Sequence, residues 1–160
     1  MRRLALTALA VASLATAAAA IAATAQVPYP ANYRNWTHIK TMVIQDGHPL
    51  FGAFGGIHHI YGNQAAQEGY ARGKFADGAT IVFDLLEGKS EGGALTEGAR
   101  KVVGVMEKDR KKFAGTGGWG FEAFKGDSRE RLVGQDAATA CFACHEAQKA
   151  TDFVFSAYRP

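Results

Sequence analysis

Apolar and polar residues alternate with a period of two along much of this chain. Thr80 to Leu86 is the clearest case: Ile81, Phe83 and Leu85 alternate against Val82, Asp84 and Leu86, which predicts a strand. Gly56 to Tyr61 reads the same way, with Ile57, His59 and Tyr61 on one side and His58 and Ile60 on the other. Lys40 to Ile44, Lys101 to Met106 and Trp119 to Phe124 are further predicted strands; in the last, Trp119 and Phe121 share a face. Helical spacing is confined to three short stretches. Asn32 to His38 puts Tyr33 and Trp36 one turn apart, and Asn63 caps a helix through Arg72 with Gly73 as its stop. Ala137 to Gln148 is the third, with Asp136 as its expected cap. Asp46-Gly47, Pro49 and Asp77-Gly78 are turns, and Phe153 to Tyr158 closes the chain as an apolar, aromatic tail. The expectation is an α+β fold, mainly antiparallel β-sheet with short helices.

The first 25 residues do not share this pattern. Arg2 and Arg3 precede an apolar run from Leu4 to Ile21, and Ala23-Thr24-Ala25 is a small-x-small cleavage site. This is the form of a secretory signal peptide, so residues 1–25 are expected to be removed after Ala25 and the protein exported to a periplasm. Residues 26–160 then form a single domain. The leader carries two of the 18 basic residues and none of the 15 acidic ones, which leaves 16 against 15, a balance of +1. With no basic cluster, a nucleic-acid partner is not expected.

The predicted C-terminal helix holds the most specific chemistry. Cys141-Phe142-Ala143-Cys144-His145 is a Cys-x-x-Cys-His sequence, the attachment signature of one covalently bound haem c. The two thiols would add to the haem vinyl groups, and His145 would give the iron an axial nitrogen. Cys141 and Cys144 are the only cysteines in the chain. A zinc site would need more ligands, and a thioredoxin-like pair belongs near the start of a domain. No Gly-x-Ser-x-Gly elbow or phosphate loop is present, and Gly115 to Gly120 reads as a turn opening a strand.

Several other residues have two readings. Phe83 is either a wall of the haem pocket or ordinary sheet core. His58 and His59 are candidates for a sixth iron ligand or a distal polar group, or pack and solvate without a role. Met42 and Met106 are thioether candidates expected instead to fill the core. Phe51, Phe54, Phe121 and Phe124 are expected in the core. Glu97, Glu107 and Glu122 are expected at the surface. Arg34, Lys40, Arg100 and Arg159 are the basic candidates for haem propionates.

These pieces, taken in order, resemble the cytochrome P-460 family, closest to its non-cross-linked cytochrome c-prime-beta type. The resemblance rests on Asn32-Tyr33-Arg34-x-Trp36, the strand Ile57 to Tyr61 and Gly73-x-Phe75-x-Asp77-Gly78. It continues through Gly117-Gly118-Trp119-Gly120-Phe121 to Cys141-x-x-Cys144-His145 and Thr151-Asp152-Phe153-Val154-Phe155. It implies a β-sheet fold, one covalent haem with His145 as proximal ligand, an open sixth position and a homodimer. Cytochrome P-460 proper carries a haem-linked lysine that accompanies hydroxylamine oxidation, and the matching position here is Phe83. A phenyl ring cannot make that bond. The position of His58 is often an arginine near the haem in that family, which implies a polar distal role. The expected function is therefore binding of nitric oxide or a related small nitrogen species at five-coordinate iron. The alternatives are a six-coordinate electron carrier, which requires a periplasmic redox protein as partner, and a hydroxylamine-oxidising enzyme.

Overall fold

Five strands pair in sequential order into one antiparallel sheet, β1-β2-β3-β4-β5. They are β1 (Thr37–Ile44), β2 (Gly56–Gly62), β3 (Thr80–Glu91), β4 (Ala94–Lys108) and β5 (Trp119–Lys125). A computed structural model describes residues 26–159 of the chain. The predicted leader, residues 1–25, lies outside the described residues. Helix α1 (Phe51–Phe54) joins β1 to β2, and α2 (Gln64–Arg72) joins β2 to β3. Asn63 caps α2 as expected: its side chain accepts the Ala66 amide (2.9 Å) and also the Thr80 amide (3.1 Å), tying the helix start to β3. The α+β architecture predicted from the pattern is the one observed.

The register divides the sheet into two faces. On one, directly paired residues form three rows: Phe121, Met106 and Ile81; then Ala123, Gly104, Phe83 and Ile60; then Lys125, Val102, Leu85 and His58. Against this face pack Ala66, Phe75, Trp119 and Val154, with Cys141, Phe142 and Phe153 of the C-terminal segment. The other face carries Tyr61, Val82, Val103, Val105 and Phe124, covered by Val27, Tyr33 and Trp36 from the N-terminal segment. Apolar residues are thus buried on both faces, which explains why the strands read so clearly.

Four local features differ from the expectations. The Asn32–His38 helix is a single tight turn, Tyr33–Asn35, and His38 already belongs to β1. β3 and β4 continue past the predicted ends into a hairpin closed by Gly92 and Gly93, both at positive φ. This extension is solvated on both sides, so it carries no apolar alternation. Phe51, Phe54 and Met42 are 41, 42 and 46% exposed and are not core, because among the described residues nothing packs outside α1 and the edge strand β1. Glu122 is buried rather than exposed, for reasons given below.

Past β5 the chain turns back along its edge. The Leu132 amide donates to the Ala123 carbonyl and the Lys125 amide to the Glu130 carbonyl, so residues 130–132 extend the sheet before the C-terminal helix begins. That helix starts as a turn at Gly134–Asp136, widens to π geometry over Ala138–Phe142, is α-helical at Ala143–His145 (α3) and tightens over Glu146–Thr151. Asp136 makes no side-chain cap. A π turn within a helix often marks a functional position, and here it contains Cys141 and Phe142 of the Cys-x-x-Cys-His sequence.

Candidate functional site

The C-terminal helix brings Cys141 and His145 to the first of the three sheet rows. The His145 ring lies 5.0 Å from Phe121 and 4.9 Å from Phe155, and Phe142 stacks between Phe121 (6.2 Å) and Phe153 (5.4 Å). One polar contact fixes the imidazole: Nδ1–H donates to the Phe153 carbonyl (2.8 Å). A carbonyl has no proton to give, so the proton sits on Nδ1 and Nε2 keeps its lone pair. Burial also lowers the His145 pKa and keeps the ring neutral. This is the arrangement a metal-ligating histidine requires, with the second nitrogen oriented by a backbone acceptor.

Burial pushes the Cys141 thiol up to about 11, with Glu122 and Cys144 adding to the effect, while Cys144 is exposed. A redox pair of the thioredoxin kind depends on a lowered thiol pKa. Cys141 has the opposite environment.

The Phe153 carbonyl is placed by an unusual stretch of backbone. Asp152 and Phe153 have φ of 53° and 67°, the left-handed region that non-glycine residues seldom occupy. Asp152 is anchored three ways. Its carboxylate accepts from Lys108 Nζ (2.7 Å) and the Phe75 amide (2.9 Å), and its carbonyl accepts from Trp119 Nε1 (2.8 Å). Lys108 is buried at the end of β4. Lys108 carries no signal of this role in the sequence, and Asp152 stands out there only through the resemblance. No local pattern links two residues 44 positions apart.

Phe83 projects from the second row onto the same face as Phe121. Its ring meets His58 at 4.6 Å and Phe54 at 6.0 Å, and a Cβ added at Gly104 would come within 3.3 Å of it. Gly104 and Ala123 stand between Phe83 and the Phe121–His145 pair in the lattice of the sheet. These two small residues keep the floor low, with half-buried Ile60, Val102 and Met106 around them.

His58 is 1% exposed. Its Nε2–H donates to the Phe54 carbonyl, so Nδ1 is the bare nitrogen, and it has no hydrogen-bond partner. Burial lowers its pKa and holds it neutral. His59 points to the opposite face, where it bonds Thr41 (2.9 Å) and Glu97 (2.6 Å). Arg34 and Arg100 are on that opposite face too. Arg100 donates to buried Asp84 (2.7 Å), and Arg34 lies 3.6 Å from it. Neither stands on the side of Cys141 and His145, so both drop out as partners for a group bound there. Lys40 is paired with Ile60 and stays on the His145 side.

The clefts elsewhere do not compete for this chemistry. One of about 410 Å³ runs between Phe51, Gly55, Glu87, Leu95 and Lys101, and one of about 280 Å³ lies between Tyr29, Arg34 and Arg100. Neither includes a cysteine. The residues on the first-described face fit a haem: a histidine with its ligating nitrogen bare and its other nitrogen fixed, two free thiols on the same helix, and an apolar floor lowered by Gly104 and Ala123.

A family model described as Cytochrome P460 matches residues 30–156. A search of curated proteins returned no match.

Proposed function

Because the chain belongs to the cytochrome P460 family, we propose that it is an exported c-type cytochrome with one haem, attached through Cys141 and Cys144 and ligated by His145. A haem iron held in this way supplies an open coordination position for nitric oxide or a related small nitrogen species. The observation that carries the reading is the Nδ1–H bond from His145 to the Phe153 carbonyl, which leaves Nε2 as the donor nitrogen.

The residues of the second and third rows support an open sixth position. Phe83 offers a ring edge and no ligating atom. Met42 is exposed at the sheet edge. Met106 packs with the apolar cluster around Ile81 and Trp119. Phe83 also takes the position where a cross-linking lysine would be needed for hydroxylamine oxidation. The side chains that touch Phe83 donate no proton, which favours neutral diatomics over oxygen activation. His58 presents an acceptor nitrogen beside Phe83, so any polar contact it makes is with an N–H or O–H of the ligand.

The attachment is tested by mass spectrometry of the protein purified from a host that matures c-type cytochromes. The peptide containing Cys141 to His145 is expected to carry one haem. A haem-free peptide overturns the reading.

A further inference from the structure

The iron ligand proposed above is not fixed by its own helix. It is fixed by a carbonyl in the next turn, and that carbonyl is fixed by a buried ion pair. Asp152 and Phe153 occupy the left-handed region in succession, which neither residue adopts without support. The support comes from the sheet body: Lys108 at the end of β4, Trp119 at the start of β5 and Phe75 ahead of β3 all donate to Asp152. Lys108 also donates to the Gly117 carbonyl (3.0 Å) and lies 4.8 Å from the Trp119 ring centre. Gly117 must be glycine for the same reason: it sits at φ 65°, and a Cβ there would come within 2.3 Å of the Phe153 ring. The Phe153 amide donates to the Gln148 carbonyl (2.7 Å), which closes the turn on the helix.

We propose that Lys108 and Asp152 are positioning residues for the iron ligand. Their ion pair clamps the Asp152–Phe153 backbone and so aims the Phe153 carbonyl at Nδ1 of His145. The inference rests on His145 being the proximal ligand. A well-aimed acceptor at Nδ1 makes Nε2 a stronger donor and stabilises the ferric over the ferrous state. The clamp therefore sets the strength of the iron–histidine bond and the potential of the iron, without touching either haem or substrate. An ion pair this buried is costly to break singly, because the partner left behind is an uncompensated charge. A test must remove both charges together.

The test compares the holo-protein with the Lys108→Met/Asp152→Asn double variant, in which the amide oxygen at position 152 remains available to the Phe75 amide. The readouts are the ferrous iron–histidine stretching band by resonance Raman spectroscopy and the midpoint potential by spectroelectrochemistry. The expected result is a band shifted to lower frequency and a more positive potential, with haem still covalently bound. Lys108→Gln/Asp152→Asn, which also removes both charges, is expected to move both in the same direction, and it carries the test if the first double variant is not recovered. Arg72→Gln, which breaks only the surface pair with Glu68, is expected to move neither. A double variant with the wild-type band and potential overturns the clamp. A wild-type protein with no iron–histidine band at all overturns the His145 reading, and the clamp with it.

Discussion

The two ends of one sheet face are built in opposite ways. At the Phe121 end, His145, Phe153, Asp152, Lys108 and Trp119 are joined by directed hydrogen bonds, each 2.7 to 2.8 Å long. At the Phe83 end, ring edges and small residues meet, and the one histidine there leaves a nitrogen without a partner. On the proposed function, the difference teaches how a single sheet would serve two demands. A metal ligand must be held in one orientation and one tautomer, which takes polar contacts of fixed geometry. A passage for a small neutral molecule needs apolar walls and no competing ligand.

The largest effect should come from removing the attachment. Cys141→Ala with Cys144→Ala is expected to abolish covalent haem, read as loss of haem staining at the chain's position on a denaturing gel. Haem that still migrates with the chain would contradict the assignment at the built end.

Glu122 tests how that end is anchored. The Glu122 side chain is almost fully buried and accepts from Arg131 (2.7 Å) and from the amides of Ala123 (2.9 Å), Val133 (3.1 Å) and Gly134 (3.3 Å), where the chain enters the C-terminal helix. Burial pushes its pKa up, but these bonds outweigh burial and hold the carboxylate below its usual range. Its stabilisation is thus full above the ordinary carboxylate range and lost as pH falls through the lowered value. Glu122→Gln is expected to cost about 2 kcal/mol at neutral pH. The gap from wild type should narrow at a pH below that lowered value, where the native carboxylate also protonates. Denaturant unfolding at the two pH values checks this, and a gap that stays constant would mean the side chain is not ionised in the fold.

The smallest effect is expected at the open end. Phe83→Ala should change carbon monoxide and nitric oxide on-rates by up to about tenfold, equivalent to about 1.4 kcal/mol in the barrier. Stopped-flow mixing measures both. Unchanged rates for both gases would return Phe83 to ordinary core and remove the contrast between the two ends.

Much of this was legible in the sequence, for a physical reason. Strands with apolar residues at fixed alternation announce themselves, and β2, β3 and β5 appear close to where Ile57, Ile81 and Trp119 put them. Cys141, Cys144 and His145 are legible because Cys-x-x-Cys-His is a local motif. The Gly92-Gly93 hairpin was hidden, since its strands bury nothing. The polar contacts of the built end were hidden for another reason. Lys108 and Asp152, like Glu122 and Gly134, meet only once the sheet has formed. A charged residue in a strand reads as solvated until its partner is known, which is why Glu122 was expected at the surface.

The most direct test of the central claim is the absorption spectrum of the purified holo-protein, oxidised and dithionite-reduced, before and after carbon monoxide. A built ligand on one side and an open apolar surround on the other predict a broad, high-spin reduced Soret band that sharpens and shifts with carbon monoxide. Sharp low-spin bands that ignore carbon monoxide would contradict it, because they require a second protein ligand at the end where Phe83 and His58 stand.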